Sequence, residues 1–249
     1  MRIARIELHN FRNYENQVLD FSDGINVLLG KNAQGKTNLL EAIYVLALTR
    51  SHRTSSDKEM INWKAQTAQI KARLIKNSGN IPLELDLGAK GKRAKVNHLE
   101  QAKLSSYVGQ LNVILFAPED LSIVKGSPQG RRRFMDMKFG QMSSRYLYNS
   151  AQYRKILKQR NKYLHNLRQH ISSDRVYLDV LSDQLSAYGA EIIFQRLALL
   201  KQLEHFAQRV HSEISQGKEH LELKYKTVVP ADKFGTVDSI YKNLLSQYT

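Results

Sequence analysis

One stretch of the sequence combines two glycines with a lysine and a threonine: Gly30, Lys31, Asn32, Ala33, Gln34, Gly35, Lys36, Thr37. It fits the pattern G-x-x-x-x-G-K-[ST], in which glycines let backbone N–H groups approach phosphate oxygens. Successive N–H groups at the start of a helix form a concave site for anions. In such a loop the Lys36 ammonium would reach the β- and γ-phosphates, and the Thr37 hydroxyl would ligate Mg²⁺. These residues therefore predict a site for a nucleoside triphosphate.

The segments that flank the loop are of the kinds that a phosphate loop requires. Ile25 to Leu29 is a short, continuous apolar run, which is typical of a buried strand. Residues 38–48 carry apolar side chains at helical spacing, which predicts a helix directly after the loop. This strand–loop–helix frame is far more specific than the eight-residue pattern alone.

Residues 1–117 alternate between strand and helix patterns, and we expect them to form one lobe. Besides Ile25–Leu29, the pattern predicts strands at Ile3–Leu8, Gln17–Phe21, Ala68–Ile75, Ile81–Leu87 and Leu111–Phe116. Apolar and polar residues alternate cleanly in Ile81–Leu87. This strand and the one before it are joined by a turn at 77–80, which predicts a hairpin.

Residues 118–249 change to helical patterns and predict a second lobe. We expect a short helix ending near Gly126, another at 128–139, and two long helices at 143–168 and 176–216 that pack as a helical hairpin. The segment 220–229 reads as a strand, and the last residues as a helix.

Composition limits the classes of protein to which the chain can belong. Its 249 residues include no cysteine, which excludes disulfides and thiolate metal sites and suits a cytoplasmic protein. No apolar run approaches the roughly 20 residues that cross a bilayer, and the N-terminus lacks a signal-peptide core. Thirty-eight Lys and Arg against 23 Asp and Glu give a net charge of +15. Such an excess favours a polyanionic partner, above all nucleic acid.

Hydrolysis of a triphosphate needs more than a phosphate loop. It requires a carboxylate in the Mg²⁺ shell and a group that orients the attacking water. The candidates are the acidic residues of "LELDLG" at 83–88, which belong to the predicted hairpin, and Glu119 with Asp120, which follow an apolar run. Neither segment contains an adjacent Asp-Glu pair at the end of a strand.

The opening "IARIELHNFRNYENQVLDFSDGINVLLGKNAQGKTNLLEAIYVLAL" resembles the RecF family of bacterial recombination-repair ATPases and, more distantly, the SMC-type branch of ABC ATPase heads. Three further segments are similar to that family: "TRSHRTSSDKEMI", "ILFAPEDLSIVKGSPQGRRRFMD" and "YLDVLSDQLSAYGAEII". The likeness runs in order along essentially the whole chain.

The resemblance implies an α/β P-loop NTPase of ABC-ATPase type, with a mixed sheet lobe at 1–117 and a helical second lobe at 118–249. It implies ATP and Mg²⁺ as ligands and an ATP-dependent homodimer. It also implies association with single-stranded and with gapped or linear double-stranded DNA. RecO and RecR are the implied protein partners, in recombinase loading, replication restart and the SOS response.

One feature of the family is not found in the sequence. The signature, Walker B strand and switch histidine would lie near the C-terminus of the family, so we expect the chain to stop within the second lobe. "LSAYG" at 185–189 is superficially similar to a signature, but it lies inside a helical pattern, so Ser186 is interpreted as an ordinary helix residue. Members of the family are weak ATPases. This chain alone is expected to bind ATP poorly and to hydrolyse none.

Other candidates each have two interpretations. Arg12 and Asn13 either contact the base and ribose or form a polar loop. Ser51, His52 and Arg53 either approach phosphate or DNA or form a solvated basic loop. Glu119 either senses Mg²⁺ and γ-phosphate or begins a helix. The cluster Arg131, Arg132 and Arg133 either contacts DNA or a partner subunit or is a solvated face.

Two other functions are compatible with a phosphate loop. A small-metabolite kinase would need a lid and an acceptor pocket, and an ABC transporter subunit would need a transmembrane partner. The histidines give no metal site, since His165 and His170 do not share a helical face.

Overall fold

The computed structural model describes residues 1–117, 122–171 and 173–248. The chain divides into two compact units, Met1–Lys125 and Gly126–Thr249. This boundary falls slightly later than residue 117, where the sequence pattern changes.

The first unit is built on a six-stranded sheet with the order β2-β1-β3-β4-β5-β6. Its strands are β1 (Arg2–Phe11), β2 (Tyr14–Asp20), β3 (Ala68–Lys76), β4 (Gly79–Gly88), β5 (Gly91–Val96) and β6 (Leu99–Glu100). Every pairing that the structure describes is antiparallel. The four strands predicted at 3–8, 17–21, 68–75 and 81–87 are confirmed, and so is the β3–β4 hairpin, in which Lys76 pairs with Gly79.

The helices of this unit are α1 (Lys36–Leu48), α2 (Leu104–Tyr107) and α3 (Ser122–Lys125). The alternation of β4 buries Leu83, Leu85 and Leu87 completely or nearly so. The helix α1 packs against β3 and β4 and buries Ala42, Val45 and Leu46. Because this core holds α1 firmly, the start of the helix presents the preceding loop at a fixed place.

Two predicted strands are wrong. Residues 25–29 form no strand, and the exposed fractions of Ile25, Val27 and Leu29 are 89%, 71% and 87%. Residues 111–116 form no strand either, and Ile114 and Phe116 are exposed. A strand needs a neighbour for its backbone hydrogen bonds, and none of the described strands pairs with either segment. The sheet is therefore antiparallel within the described residues rather than mixed.

The second unit is helical, with α4 (Pro128–Met142), α5 (Ser144–Arg168), α6 (Arg175–Ser215) and α7 (Val237–Tyr248). These helices confirm the ones predicted here. The segment 220–229 is not a strand, which corrects that prediction, since no strand in the described part of this unit could pair with it.

Side-chain caps fix the starts of the long helices. Ser127, Ser143 and Asp174 accept hydrogen bonds from backbone N–H groups in the first turns of α4, α5 and α6. Such caps satisfy donors that the helix itself leaves unpaired. Ser186 is buried inside α6 and donates to the Ser182 carbonyl at 2.8 Å. It is an ordinary helix residue, as the sequence indicated.

Candidate nucleotide-binding site

The loop Gly30–Thr37 has the backbone that an anion site requires. Gly30, Ala33 and Gly35 all have positive φ, at 151°, 64° and 99°. Residues 31–34 are exposed, and α1 begins directly afterwards at Lys36. The loop is therefore open to solvent at the N-terminus of a well-packed helix, where the helix dipole attracts negative charge.

Gly35 is required for a second reason besides its φ. A Cβ atom at this position would lie 2.7 Å from the Tyr14 hydroxyl and 3.0 Å from Asn13 Nδ2. Tyr14 also donates to the Gly35 carbonyl at 3.1 Å. The turn after β1 thus packs directly on the loop, and any larger residue at 35 would displace it.

The side chain of Lys36 folds back across the first residues of the loop. Its Nζ donates to the carbonyls of Gly30 and Lys31, at 2.5 and 2.7 Å. These contacts keep the ammonium at the loop, where the sequence predicts that it meets phosphate.

Thr37 lies exposed in the first turn of α1 and fits a role as one Mg²⁺ ligand. In the described part of the chain, no group of three or more His, Asp or Glu residues is arranged to hold a metal. Thr37 would therefore give a Mg²⁺ ion one hydroxyl ligand, beside the oxygens of nucleotide phosphates and of water. That arrangement is usual for Mg²⁺ bound with a nucleotide.

A buried carboxylate organises the residues beside the loop. Glu41, on α1, has no exposed surface. It accepts hydrogen bonds from Arg12 at 3.0 and 2.7 Å, from Ser51 at 2.5 Å and from Arg53 at 3.1 Å. Burial alone raises the pKa of Glu41, but the hydrogen bonds from Arg12 and Ser51, with the charges of Arg12 and Arg53, outweigh it and lower the pKa. Glu41 is therefore an anion that fixes two arginines in place.

The arginines border a cleft of about 460 Å³. Its lining comprises Arg12, Asn13, Asn38, Arg53, Lys58, Glu59, Ile61 and Trp63. Asn38 donates to Asn13 at 2.7 Å and accepts from Arg53 at 2.8 Å. The structure thus brings Arg12, Asn13 and Arg53 together at the start of α1. His52 instead places its ring against Tyr44, with 5.1 Å between ring centroids.

Sequence reasoning missed Glu41 and Trp63. Glu41 lies among the apolar residues of α1. An acidic residue at a position that the helical spacing predicts to be buried could have indicated a charged partner nearby. Trp63 is the only tryptophan of the chain, in a polar segment.

The remaining candidates lie elsewhere. Glu119 is outside the described residues. Arg131, Arg132 and Arg133 belong to the second unit, where all three are exposed in the first half of α4. Arg131 donates to the Gly126 carbonyl at 2.9 Å. The carboxylates of "LELDLG" lie on β4, where Asp86 accepts from Gln69 at 2.6 Å and Glu84 contacts His98 at 2.6 Å.

Comparison with known proteins places these features in a family. Residues 5–243 match the family described as "AAA domain". The DNA replication and repair protein RecF of Pediococcus pentosaceus is 63% identical over 98% of this chain, and that of Limosilactobacillus reuteri is 57% identical over 100% of this chain. The chain spans 65% and 66% of the length of these two relatives.

Solved structures give the same result. The recombination mediator protein RecF with ATPrS, in the RecFOR pathway, has a TM-score of 0.93 and 29% identity over 99% of this chain and 66% of that one. RecF with ATP has a TM-score of 0.91 and 29% identity over 98% of this chain and 65% of its own. The predicted α/β P-loop fold of ABC-ATPase type is thereby confirmed. Within the described ranges, no helix is both long and apolar enough to cross a membrane.

Proposed function

Because the chain belongs to the RecF family, we propose that it is the ATP-binding part of a DNA replication and repair protein in which ATP controls association with DNA. The observation that carries this proposal is the loop Gly30–Thr37, with its positive-φ glycines, its exposed residues 31–34 and the Lys36 side chain held across it.

The chain's own residues bind the triphosphate in a simple way. Backbone N–H groups of the loop and the N-terminus of α1 receive phosphate oxygens. The Lys36 ammonium exchanges its two carbonyl partners for phosphate, and charge-assisted contacts of this kind are stronger than those with neutral carbonyls. A bound Mg²⁺ would neutralise phosphate charge, with the Thr37 hydroxyl as its ligand from this chain.

The proposal for DNA rests on charge and on family. A net charge of +15 favours a polyanion, because each neutralised phosphate releases counterions. We propose single-stranded and gapped or linear double-stranded DNA as the partner, with the exposed Arg131, Arg132 and Arg133 among the phosphate contacts. In the full-length protein, ATP would bring two copies together, with RecO and RecR as partners, in the cytoplasm. Recombinase loading, replication restart and SOS induction would follow from that assembly.

The two alternative functions are not favoured. The similar proteins carry the RecF name over nearly the whole of this chain. Neither a small-metabolite kinase nor a transporter subunit accounts for that likeness together with so large an excess of positive charge.

The test compares Lys36→Ala with Lys201→Ala in the full-length protein. Both variants remove one lysine, but Lys201 lies exposed on α6, away from the loop in sequence and in the other unit. Loss of a charge-assisted hydrogen bond costs about 2 kcal/mol, or roughly 30-fold in affinity for ATP. Calorimetry with ATP and anisotropy with labelled gapped DNA should show this loss for Lys36→Ala only. Unchanged ATP-dependent DNA association in Lys36→Ala would refute the role of the loop.

A further inference from the structure

The start of α1 differs from the starts of the other long helices. The side chains of Ser127, Ser143 and Asp174 cap α4, α5 and α6, whereas the residue before α1 is Gly35, which has no side chain to cap it. The first N–H groups of a helix have no partner within that helix, and at α1 they are left to the phosphates. The helix start that binds the ligand therefore lacks the contact that fixes the others.

Tyr14 supplies a contact from outside the helix. Its hydroxyl donates to the Gly35 carbonyl at 3.1 Å, and the Leu39 backbone N–H donates to the same oxygen at 3.0 Å. A carbonyl oxygen has two lone pairs, so both are in use. Burial raises the pKa of Tyr14 above its ordinary value of 10.0, which keeps the hydroxyl protonated as a donor near neutral pH.

This contact sets the direction of the peptide between Gly35 and Lys36. The peptide is planar and trans, so its carbonyl and its N–H point in opposite directions. Because the carbonyl is held toward Tyr14 and the helix, the Lys36 N–H points out of the helix start, to the side on which phosphate would bind. Glycine can adopt many backbone conformations, so a contact from another segment is needed to keep position 35 in one of them.

Tyr14 is itself held by the turn between β1 and β2. Its backbone pairs with Phe11, which is fully buried. Within the turn, the Arg12 backbone donates to the Met60 carbonyl at 2.8 Å, and the Asn13 side chain accepts a hydrogen bond from α1 at 2.7 Å. The turn is thus fixed on both sides, and the Tyr14 hydroxyl has a defined position against the loop.

We propose that Tyr14 is a positioning residue for the triphosphate: its hydroxyl locks the Gly35–Lys36 peptide in the orientation that presents the Lys36 N–H to phosphate. The inference rests on the proposed function and adds a residue that acts through the loop rather than on the nucleotide. A site whose donors are already oriented loses less free energy to ordering when it binds. The hydroxyl therefore strengthens the binding of any ligand that carries a triphosphate, whatever base is attached to it.

The test removes the hydroxyl and keeps the ring. Tyr14→Phe is compared with Tyr163→Phe, in which the lost hydroxyl also donates to the carbonyl before a helix, that of Asp174 at 2.7 Å. Calorimetry on the full-length protein follows Mg²⁺-ATP and inorganic triphosphate, with Lys36→Ala as the reference for loss of the loop. Tyr14→Phe should weaken the binding of both ligands about fivefold, which corresponds to one neutral hydrogen bond. Tyr163→Phe should change neither affinity.

A second measurement follows the peptide itself and needs no ligand. Labelling of glycine carbonyls with ¹³C and of lysine nitrogens with ¹⁵N selects four Gly-Lys peptides of the 249-residue chain, those of Lys31, Lys36, Lys92 and Lys218. The Lys36 amide should give a single signal in the wild type and in Tyr163→Phe. In Tyr14→Phe it should be broadened or doubled, because the freed peptide samples a second orientation. A role of Tyr14 in stability alone would leave this signal unchanged.

The contrary results separate this inference from the proposed function. If the wild type binds neither ligand, or Lys36→Ala binds ATP as the wild type does, the proposed function fails and the role of Tyr14 fails with it. If Lys36→Ala loses binding but Tyr14→Phe binds both ligands normally, the loop stands and the inference is refuted. An unchanged Lys36 amide signal in Tyr14→Phe, or an equal loss of affinity in Tyr163→Phe, also refutes the lock.

Discussion

The guanidinium of Arg12 donates two hydrogen bonds to the carboxylate of Glu41, at 3.0 and 2.7 Å. Arg12 follows β1 and Glu41 lies on α1, so this pair joins the first hairpin to the helix that carries the phosphate loop. The Arg12 guanidinium also donates to the Glu59 carbonyl at 2.6 Å. A single buried ion pair thus connects three segments around the cleft.

Replacement of Glu41 by Gln should destabilise the first unit by about 3 kcal/mol, because Arg12 and Arg53 would lose their buried counter-charge. Urea unfolding would measure the loss. Glu213→Gln is the matched control, since Glu213 is exposed and pairs with Arg209 at the long distance of 3.9 Å. It should cost less than about 0.5 kcal/mol. Equal losses in the two variants would contradict the role of Glu41.

The stabilisation by Glu41 should depend on pH in a defined direction. Its pKa in the folded protein lies below the ordinary value of 4.5, so the folded state holds this proton more weakly than the unfolded chain does. The contribution is fully present above pH 4.5 and is lost as pH falls through the folded pKa. The difference in unfolding free energy between the wild type and Glu41→Gln should therefore be constant near neutrality and shrink in acid. A difference that grows in acid would show that folding raises the pKa of Glu41 instead of lowering it.

The sequence predicted the parts of the site that are local. The loop Gly30–Thr37 and the helix after it depend on residues within a few positions of each other, so the local sequence is enough to predict them. The contact of Arg12 with Glu41 joins residues 29 apart, and no local spacing reports it. Trp63 carried no pattern in the sequence, because its exposure beside the cleft is visible only in the structure.

Errors in the fold have a similar physical origin. Ile25–Leu29 has the composition of a buried strand, but composition does not supply the neighbouring strands that pairing requires. Conversely, β5 was missed because its Lys92, Arg93 and Lys95 made it polar, although Ala94 faces the core. Its pairing with β4 along the whole strand outweighs weak local propensity.

Because Leu29 is exposed, its truncation should cost much less stability than truncation of a leucine in the core. Leu29→Ala should change the unfolding free energy of this chain by less than about 0.5 kcal/mol. Leu46→Ala, which removes a fully buried side chain from α1, should cost about 3 kcal/mol. Chemical denaturation of the two variants under identical conditions measures both. A large loss for Leu29→Ala would mean that residues 25–29 are buried as the sequence alone suggested.

The second unit contains its own half-buried ion pair. Arg196 on α6 donates to Asp136 on α4 at 2.6 Å and to the hydroxyls of Tyr146 and Tyr225 at 2.8 and 3.1 Å. Arg196→Ala would leave the Asp136 charge without its guanidinium and should cost about 3 kcal/mol. Arg145→Ala is the control, because the exposed Arg145 pairs with Glu191 at the surface and should matter little. Thermal unfolding that fails to separate these variants would show that the network is not stabilising.

Hydrolysis of ATP should be undetectable in the 249-residue chain. The reaction needs a carboxylate in the Mg²⁺ shell and a group to orient water. Glu41, the buried carboxylate beside the loop, has both oxygens engaged by Arg12, Ser51 and Arg53 and is not free to join a Mg²⁺ shell. Phosphate release should therefore be the same for the wild type and for Lys36→Ala, at the level of buffer. Calorimetry with ATP on the same sample shows whether nucleotide is bound, and turnover above the Lys36→Ala level would mean that a carboxylate does reach the metal.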